Sequence, residues 1–198
     1  MEELYQNKYR VKSTRLPGWD YISSGFYFVT ICTKKRICNL GEVLMDNNHE
    51  YFAALSEIGK IARDCWLDIP NHFPNASLDE WVIMPNHMHG IVVIGANDAN
   101  VHGRDAINRV STGGNKRVGG ITGKHNPMLR VTLGTMIRWF KGRTSFECHK
   151  RNFDFHWQSR FYDQIIRNEL VLHKIRAYIK NNPKMWYRDR NNTEGMFM

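Results

Sequence analysis

The sequence predicts an α+β protein in which helices pack on one face of an antiparallel sheet. Segments rich in β-branched and aromatic residues indicate strands, and segments whose apolar residues recur every three or four positions indicate amphipathic helices. Their order along the chain is approximately βαββ, a long loop and then αβα, which is typical of that architecture. No internal repeat is visible, and the length of 198 residues favours one domain over residues 1–198.

The first half of the chain carries most of the predicted strands. The segment GFYFVTICT, at 25–33, has strong strand composition, and a second, short strand is expected within 36–43. Apolar residues spaced by three and four predict an amphipathic helix over 51–69. Strands at 78–84 and 87–94 flank a Pro-Asn kink, so they form either an antiparallel pair or one bent strand.

The second half contains a long segment without periodicity, at 96–126, which is dense in Gly, Asn and basic residues. Because thirty unstructured residues are unusual inside a compact domain, we interpret it as a mobile loop. A helix is predicted over 129–146 and a strand or extended segment over 155–168. Asn168 is a suitable N-cap for a final helix, which Pro183 is expected to end.

The composition favours a nucleic-acid partner. Lys and Arg number 28 against 19 Asp and Glu, which gives a net charge of +9 and a pI near 9.5. No apolar run reaches the length of a membrane span, so no membrane association is expected. The four cysteines form no CxxC pair and no signal peptide is recognisable, which favours a cytoplasmic protein with reduced thiols.

Basic and aromatic residues in three places are candidates for contacts with DNA. They are Arg10, Lys12 and Arg15 near the N-terminus, Arg138, Lys141 and Arg143 on a predicted helix, and Trp157, Gln158 and Arg160 in the extended segment. Cationic side chains neutralise phosphates, and aromatic rings stack on unpaired bases. The alternatives are a solvated charged face for the basic residues and burial in the core for Trp157.

Two histidines stand two residues apart in the segment WVIMPNHMHGIVVI. In a strand, residues i and i+2 point to the same face, so His87 and His89 project together. Two neutral imidazoles on one face can hold one divalent metal ion, provided that other groups complete its coordination. An ordinary structural role for such a pair is the alternative.

The final helix, ELVLHKIRAYIKNNP, offers further groups for such a site. Tyr178 falls on or beside its apolar stripe, and Asn182 lies four residues further along the same side. If this helix packs on the sheet face bearing His87 and His89, the two imidazoles and the amide oxygen of Asn182 can hold a metal beside the phenol of Tyr178. A phenolate is a competent nucleophile toward phosphorus, and a divalent ion can orient a phosphate. Magnesium or manganese suits a phosphate substrate.

Five segments together resemble a known family. In chain order they are YFVTICTKKR, WVIMPNHMHGIVVI, LGTMIRWFKGRTSF, WQSRFYDQIIRNE and YIKNNP. They resemble the single-tyrosine HUH transposases of the insertion sequence 200/605 type, and most closely the REP-associated tyrosine transposase branch. The resemblance extends from Tyr9 to Trp186 apart from the loop at 96–126. Insertion-sequence members commonly carry Gln where this chain has Asn182, and the Asn-Pro pair here favours the REP-associated branch.

This resemblance implies a ferredoxin-like α+β fold and a metal-dependent endonuclease and strand transferase acting on single-stranded or hairpin DNA. His87 and His89 would bind Mg²⁺ or Mn²⁺ with Asn182 as third ligand, and Tyr178 would form a 5′-phosphotyrosine link. The chain would act as a monomer or homodimer. The alternative function is a domesticated DNA- or RNA-binding module of the same fold that lacks strand transfer. A structural zinc domain is disfavoured, because no second Cys/His pair has suitable spacing.

Overall fold

A computed structural model describes residues 24–95, 131–189, 191 and 192. The loop predicted at 96–126 and the basic residues predicted near the N-terminus lie outside these residues. The described strands are β1 (Gly25–Cys32), β2 (Gly41–Met45), β3 (Tyr51–Leu55), β4 (Ala76–Met84), β5 (His87–Ile94) and β6 (Tyr162–Ile166). The helices are α1 (Glu57–Leu67), α2 (Ile69–His72), α3 (Leu133–Lys150) and α4 (Glu169–Asn181), with 3-10 helices at Lys34–Arg36 and Pro183–Arg188.

Four strands form one antiparallel sheet in the order β4-β5-β1-β6, and β2 and β3 form a separate hairpin. The strand β1 and the strand β4, which follows it beyond α1, lie on either side of β5, which is the ferredoxin-like order. The predicted α+β class, an antiparallel sheet with helices packed on one face, is confirmed: α1 and α3 share that face, and α4 lies against the other.

The two faces of the sheet bury different sets of apolar side chains. On one face, α1 and α3 pack over β1 and β5 and form the larger core, in which Trp66 meets the edge of Phe140 at a centroid distance of 5.4 Å. On the opposite face, α4 covers a smaller cluster; its buried members are Phe28, Ile91, Ile166, Leu172 and Ile179. Because side chains alternate along β5, the face that carries α4 also carries His87 and His89.

The helix predicted over 51–69 is wrong in its first five residues, which form the strand β3 instead. Tyr51–Leu55 pairs with β2 across a turn in which the Asp46 carboxylate accepts hydrogen bonds from the backbone N–H groups of Asn48 and Glu50. Ser56 then caps α1, since its hydroxyl accepts from the Gly59 N–H at 3.1 Å. The apolar spacing was compatible with a helix throughout, and the cap and the β2 partner set the boundary.

Two ion pairs fasten α4 to the edge strand β4. Arg176 makes a bidentate contact with Asp79, with Nε–Oδ1 3.0 Å and Nη2–Oδ2 2.5 Å, and Lys180 lies 3.2 Å from Glu80. Asp79 and Glu80 are consecutive residues within an irregularity of β4 between Leu78 and Trp81. Such a bulge redirects side chains, and both carboxylates here reach the same helix.

Both predicted ends of α4 are observed. The Asn168 side chain accepts from the Val171 N–H at 2.9 Å, and the helix ends at Asn181 before Pro183. The chain then continues as a 3-10 helix rather than leaving the fold. None of the helices in the described part of the chain combines the length and apolar character that crossing a bilayer requires.

Candidate functional site

A tight turn at Pro85-Asn86 places two histidines at the start of β5, in the middle of the sheet. His89 lies opposite Val82 of β4 and Thr30 of β1, and His87 lies opposite Met84 and Cys32. Both imidazoles are almost fully buried, at 0% and 3% exposure. Their ring centroids are 4.6 Å apart on the face that α4 covers.

Neighbouring polar groups orient both rings. Asn86 Nδ2 donates to the carbonyls of Arg36 and Asn191, so its Oδ1 faces His87 Nδ1 at 2.9 Å. Since an amide oxygen only accepts, His87 Nδ1 carries the proton and Nε2 presents a lone pair. His89 Nδ1 lies 2.9 Å from Thr30 Oγ1, which can accept a hydrogen bond from the Nδ1–H group. His89 Nε2 then carries a lone pair for a metal ion. Such partners commonly orient histidine ligands of metals.

The separation of the two Nε2 atoms is that expected of two ligands of one metal ion. His87 Nε2 and His89 Nε2 lie 3.1 Å apart. Two imidazole nitrogens that each lie about 2.1 Å from a shared ion, at roughly a right angle, are about 3 Å from each other. The residues present therefore fit a metal ion.

Tyr178 lies beside this pair. Its hydroxyl is 3.1 Å from His89 Nε2, and its ring contacts His89 at a centroid distance of 5.1 Å. Phe28 stacks on His89 at 5.4 Å and meets the edge of Tyr178 at 6.2 Å, so it supports both rings. The tyrosine is 48% exposed, at the edge of the apolar stripe of α4. A phenol in this position is accessible to a polymeric substrate.

Two side-chain oxygens, one at the end of α4 and one beyond it, are candidate ligands. Asn182 is 2% exposed, and its side-chain Oδ1 has no hydrogen-bond partner among the described residues. A buried amide oxygen without a partner is costly, and a bound cation would satisfy it. The second candidate is Asp189, whose Oδ2 lies 3.7 Å from His87 Nε2. Within the described ranges, His87, His89 and Asp189 are the group of histidine and carboxylate donors close enough to hold one ion, all within 4.8 Å of one another.

Sequence reasoning missed several residues of this site. Asn86 directly precedes the first histidine, so its place next to the motif was a signal that could have identified it. Thr30 and Phe28 share the face of β1 that neighbours His89, and the strand pairing would have identified them. No periodicity or motif indicates Asp189, because the 3-10 helix after Pro183 brings it back to the histidines.

The predicted basic candidates occupy different surroundings. Arg138, Lys141, Trp157 and Arg160 line a groove of about 540 Å³ between α3 and the segment before β6. Lys141 Nζ donates to the carbonyls of Gln158 and Arg160 at 2.5 and 3.0 Å, and burial lowers the pKa of its ammonium. Arg138 and Arg160 are exposed. The groove is therefore cationic.

Three further candidates differ from one another in their surroundings. Trp157 is 9% exposed and packs against Phe140 and Phe155, so its indole belongs to the core, as the alternative interpretation had it. Arg143 pairs with Glu147 at 3.0 Å and lines a separate cavity between α1 and α3. Gln158 is exposed, and its backbone N–H donates to the Cys32 carbonyl at 2.8 Å. Arg10, Lys12 and Arg15 lie outside the described residues.

Comparison with known proteins gives two informative similarities, and no family model matches the chain. The fold is similar to that of a REP-associated tyrosine transposase solved with a bound REP hairpin, with a TM-score of 0.53 and 18% identity. That similarity covers 87% of this chain and 74% of the other. An uncharacterized protein of Haemophilus influenzae is 32% identical over 193 residues, which cover 90% of this chain and 91% of that protein. The chain therefore belongs to the same family as this Haemophilus influenzae protein.

Proposed function

We propose that this chain is a transposase-like enzyme that cleaves single-stranded or hairpin DNA through Tyr178, with a divalent metal ion, Mg²⁺ or Mn²⁺, bound at His87 and His89. The observation that carries this proposal is the position of the Tyr178 hydroxyl, 3.1 Å from His89 Nε2. The sequence motifs, which resemble the REP-associated transposase branch, and the similarity to a hairpin-bound member support it.

In the proposed cleavage step, the Tyr178 oxygen attacks the scissile phosphorus and gives up its proton. The bond between phosphorus and the 3′ oxygen breaks, and that oxygen takes a proton to become a 3′-hydroxyl. The 5′ end remains attached as a phosphotyrosine, which conserves the bond for transfer. In strand transfer, a 3′-hydroxyl attacks the same phosphorus, and the tyrosine oxygen leaves and regains a proton.

The metal would be held by His87 Nε2, His89 Nε2 and the amide oxygen of Asn182. When bound, such an ion neutralises a non-bridging phosphate oxygen and orients the scissile group. Asn86 and Thr30 keep both Nε2 atoms turned toward the site through their hydrogen bonds to Nδ1. Phe28 keeps the Tyr178 ring beside them.

The cationic groove between α3 and the segment before β6 is the proposed contact with the DNA backbone. Arg138 and Arg160 offer exposed guanidinium groups there, and Lys141 lies between them. The segment before β6 joins the sheet beside the first histidine, because the Gln158 N–H bonds to Cys32, and Cys32 pairs with His87 across β1 and β5. The groove lies on the α3 side of the sheet and Tyr178 on the α4 side, so a bound strand would have to pass around the end of the sheet to reach both. The remaining candidates Arg10, Lys12, Arg15, Arg143 and Gln158 are proposed as additional DNA contacts.

The test compares Tyr178→Phe with Tyr162→Phe. Tyr162 is a matched control, because it is 45% exposed and also contacts Phe28 by its edge, but its hydroxyl faces Gln164 at 3.5 Å. Each variant is incubated with end-labelled single-stranded hairpin DNA and Mn²⁺ or Mg²⁺, and denaturing electrophoresis detects a covalent adduct. We expect the adduct from wild type and Tyr162→Phe and its loss from Tyr178→Phe.

Two outcomes would contradict this proposal. An adduct that persists in Tyr178→Phe and disappears in Tyr162→Phe would move the nucleophile to β6. Tight DNA binding by the wild type with no adduct under any metal condition would favour the binding module. His87→Ala extends the test, since it should abolish metal-dependent cleavage while leaving Tyr178 intact.

A further inference from the structure

We propose that Asp189 is an additional ligand of the metal ion and that metal binding therefore fixes the C-terminal strap, defined as residues 183–189 with 191 and 192. This rests on one part of the proposed function, the binding of a divalent ion at the histidine pair. It does not depend on the role of Tyr178 or on DNA.

The position of the Asp189 carboxylate supports its role as a ligand. Its side chain is 7% exposed, although it lies eight residues beyond the end of α4. Burial of a carboxylate is costly unless it is paired or coordinates a metal. Its Oδ2 lies 3.7 Å from His87 Nε2, close to the point where the two imidazole nitrogens converge.

The strap leaves one carboxylate oxygen available for an ion. The Asn191 N–H donates to Asp189 Oδ1 at 2.7 Å, and the Asn192 N–H donates to the Asp189 carbonyl at 2.8 Å. These bonds close a turn around Asp189. Since Oδ1 accepts a hydrogen bond within the turn, Oδ2 is the oxygen directed at the histidines. The turn therefore orients one coordinating oxygen before an ion binds.

Asn86 connects the strap to the first histidine. Its Oδ1 orients His87, while its Nδ2 donates to the Asn191 carbonyl at 2.7 Å. Arg36 adds a hydrogen bond to the Asn191 side chain. Trp186 of the strap lies over His87 with a centroid distance of 6.0 Å. One amide therefore couples the orientation of His87 to the docking of the strap, which makes Asn86 a positioning residue.

Two consequences follow from a carboxylate ligand. An anionic oxygen offsets one of the two charges of a divalent ion, which neutral His87, His89 and Asn182 cannot do. In addition, an ion that contacts both β5 and the strap stabilises the docked strap through linkage, because it binds that arrangement and not the undocked one. Metal affinity and strap protection should then change together.

The experiment measures Mn²⁺ affinity and strap protection for wild type, Asp189→Asn and Asp64→Asn. The control Asp64 has a 66% exposed side chain paired with Arg63 on α1, which packs on the opposite face of the sheet. Calorimetry gives Mn²⁺ affinity, and hydrogen exchange with mass spectrometry follows residues 183–189 with and without Mn²⁺. We expect Asp189→Asn to bind Mn²⁺ at least about tenfold more weakly, while Asp64→Asn matches wild type.

Wild type provides a second measurement that requires no variant to fold, since Mn²⁺ should slow hydrogen exchange in its strap. In Asp189→Asn this response should be lost. Asn86→Ala should weaken Mn²⁺ binding about 10–100-fold and reduce strap protection, as expected of an outer partner of a ligand. Equal Mn²⁺ affinity for wild type and Asp189→Asn would overturn the proposal. Hydrogen exchange in the strap at the same rate with and without Mn²⁺ would also overturn it. Both of those results leave the Tyr178 adduct test unaffected, and loss of the adduct in wild type would leave this proposal intact.

Discussion

Gly90→Ala is expected to destabilise the protein, because the space over β5 at this position is filled by Trp66. A Cβ atom at Gly90 would lie 2.4 Å from Trp66 Cζ2 and 3.0 and 3.2 Å from two further ring atoms. Carbon atoms in ordinary contact are about 3.5–4.0 Å apart, so the indole must retreat by roughly 1 Å. Trp66 is fully buried against Phe140 and has no room to do so without moving α1 or α3.

The size of the effect follows from two opposing contributions. Overpacking of a tight core costs about 1–3 kcal/mol, and a 2.4 Å contact belongs in the upper part of that range. Alanine regains about 0.5–1 kcal/mol over glycine within a strand. The free energy of unfolding should therefore fall by about 1–2.5 kcal/mol, and the Tm by roughly 2–10 °C for a chain of this length.

Urea unfolding followed by circular dichroism measures this change, with Gly142→Ala as a matched control. A Cβ at Gly142 meets no atom within 4 Å, and the residue lies inside α3, where alanine is favoured over glycine by up to about 1 kcal/mol. The same substitution should thus destabilise at Gly90 and stabilise at Gly142. Equal effects at both positions, or a stabilised Gly90→Ala, would refute the packing of α1 on β5 described above.

Two further expectations concern the docking of α4 and the contact with DNA. Burial raises the pKa of the Asp79 carboxyl, but the hydrogen bonds and charge of Arg176 outweigh this and hold it below its ordinary value of 3.8. The stability that Asp79 contributes should be present above about pH 4 and lost as pH falls through the lowered pKa. The free energies of urea unfolding of wild type and Asp79→Asn should therefore converge at low pH. A constant difference between them from pH 7 to pH 3 would contradict this. For the groove, Arg138→Ala should lower the slope of log affinity for single-stranded DNA against log salt by about 0.7, whereas an unchanged slope would exclude a phosphate contact at this position.

Local sequence pattern predicted most of the helices and strands. It failed where the spacing of apolar residues is compatible with both a helix and a strand. The strand at the histidines, the N-cap at Asn168 and the stop at Pro183 depend on residues close in sequence, and all three are observed. The segment 51–69 was predicted as one helix because its apolar spacing suits a helix throughout. Its first residues are a strand because β2 supplies a hydrogen-bonding partner, which is information from another part of the chain.

The sequence by itself determined that His87 and His89 share one face, because the period of two in a strand requires it. It also placed Tyr178 and Asn182 on one side of a helix, through the period of 3.6. Only the tertiary structure decided that this helix lies over that face, since ion pairs to a bulge in β4 and the packing of Phe28 hold it there. It alone brought Asp189 to the histidines, because the path of a 3-10 helix after Pro183 leaves no periodic signal in the sequence.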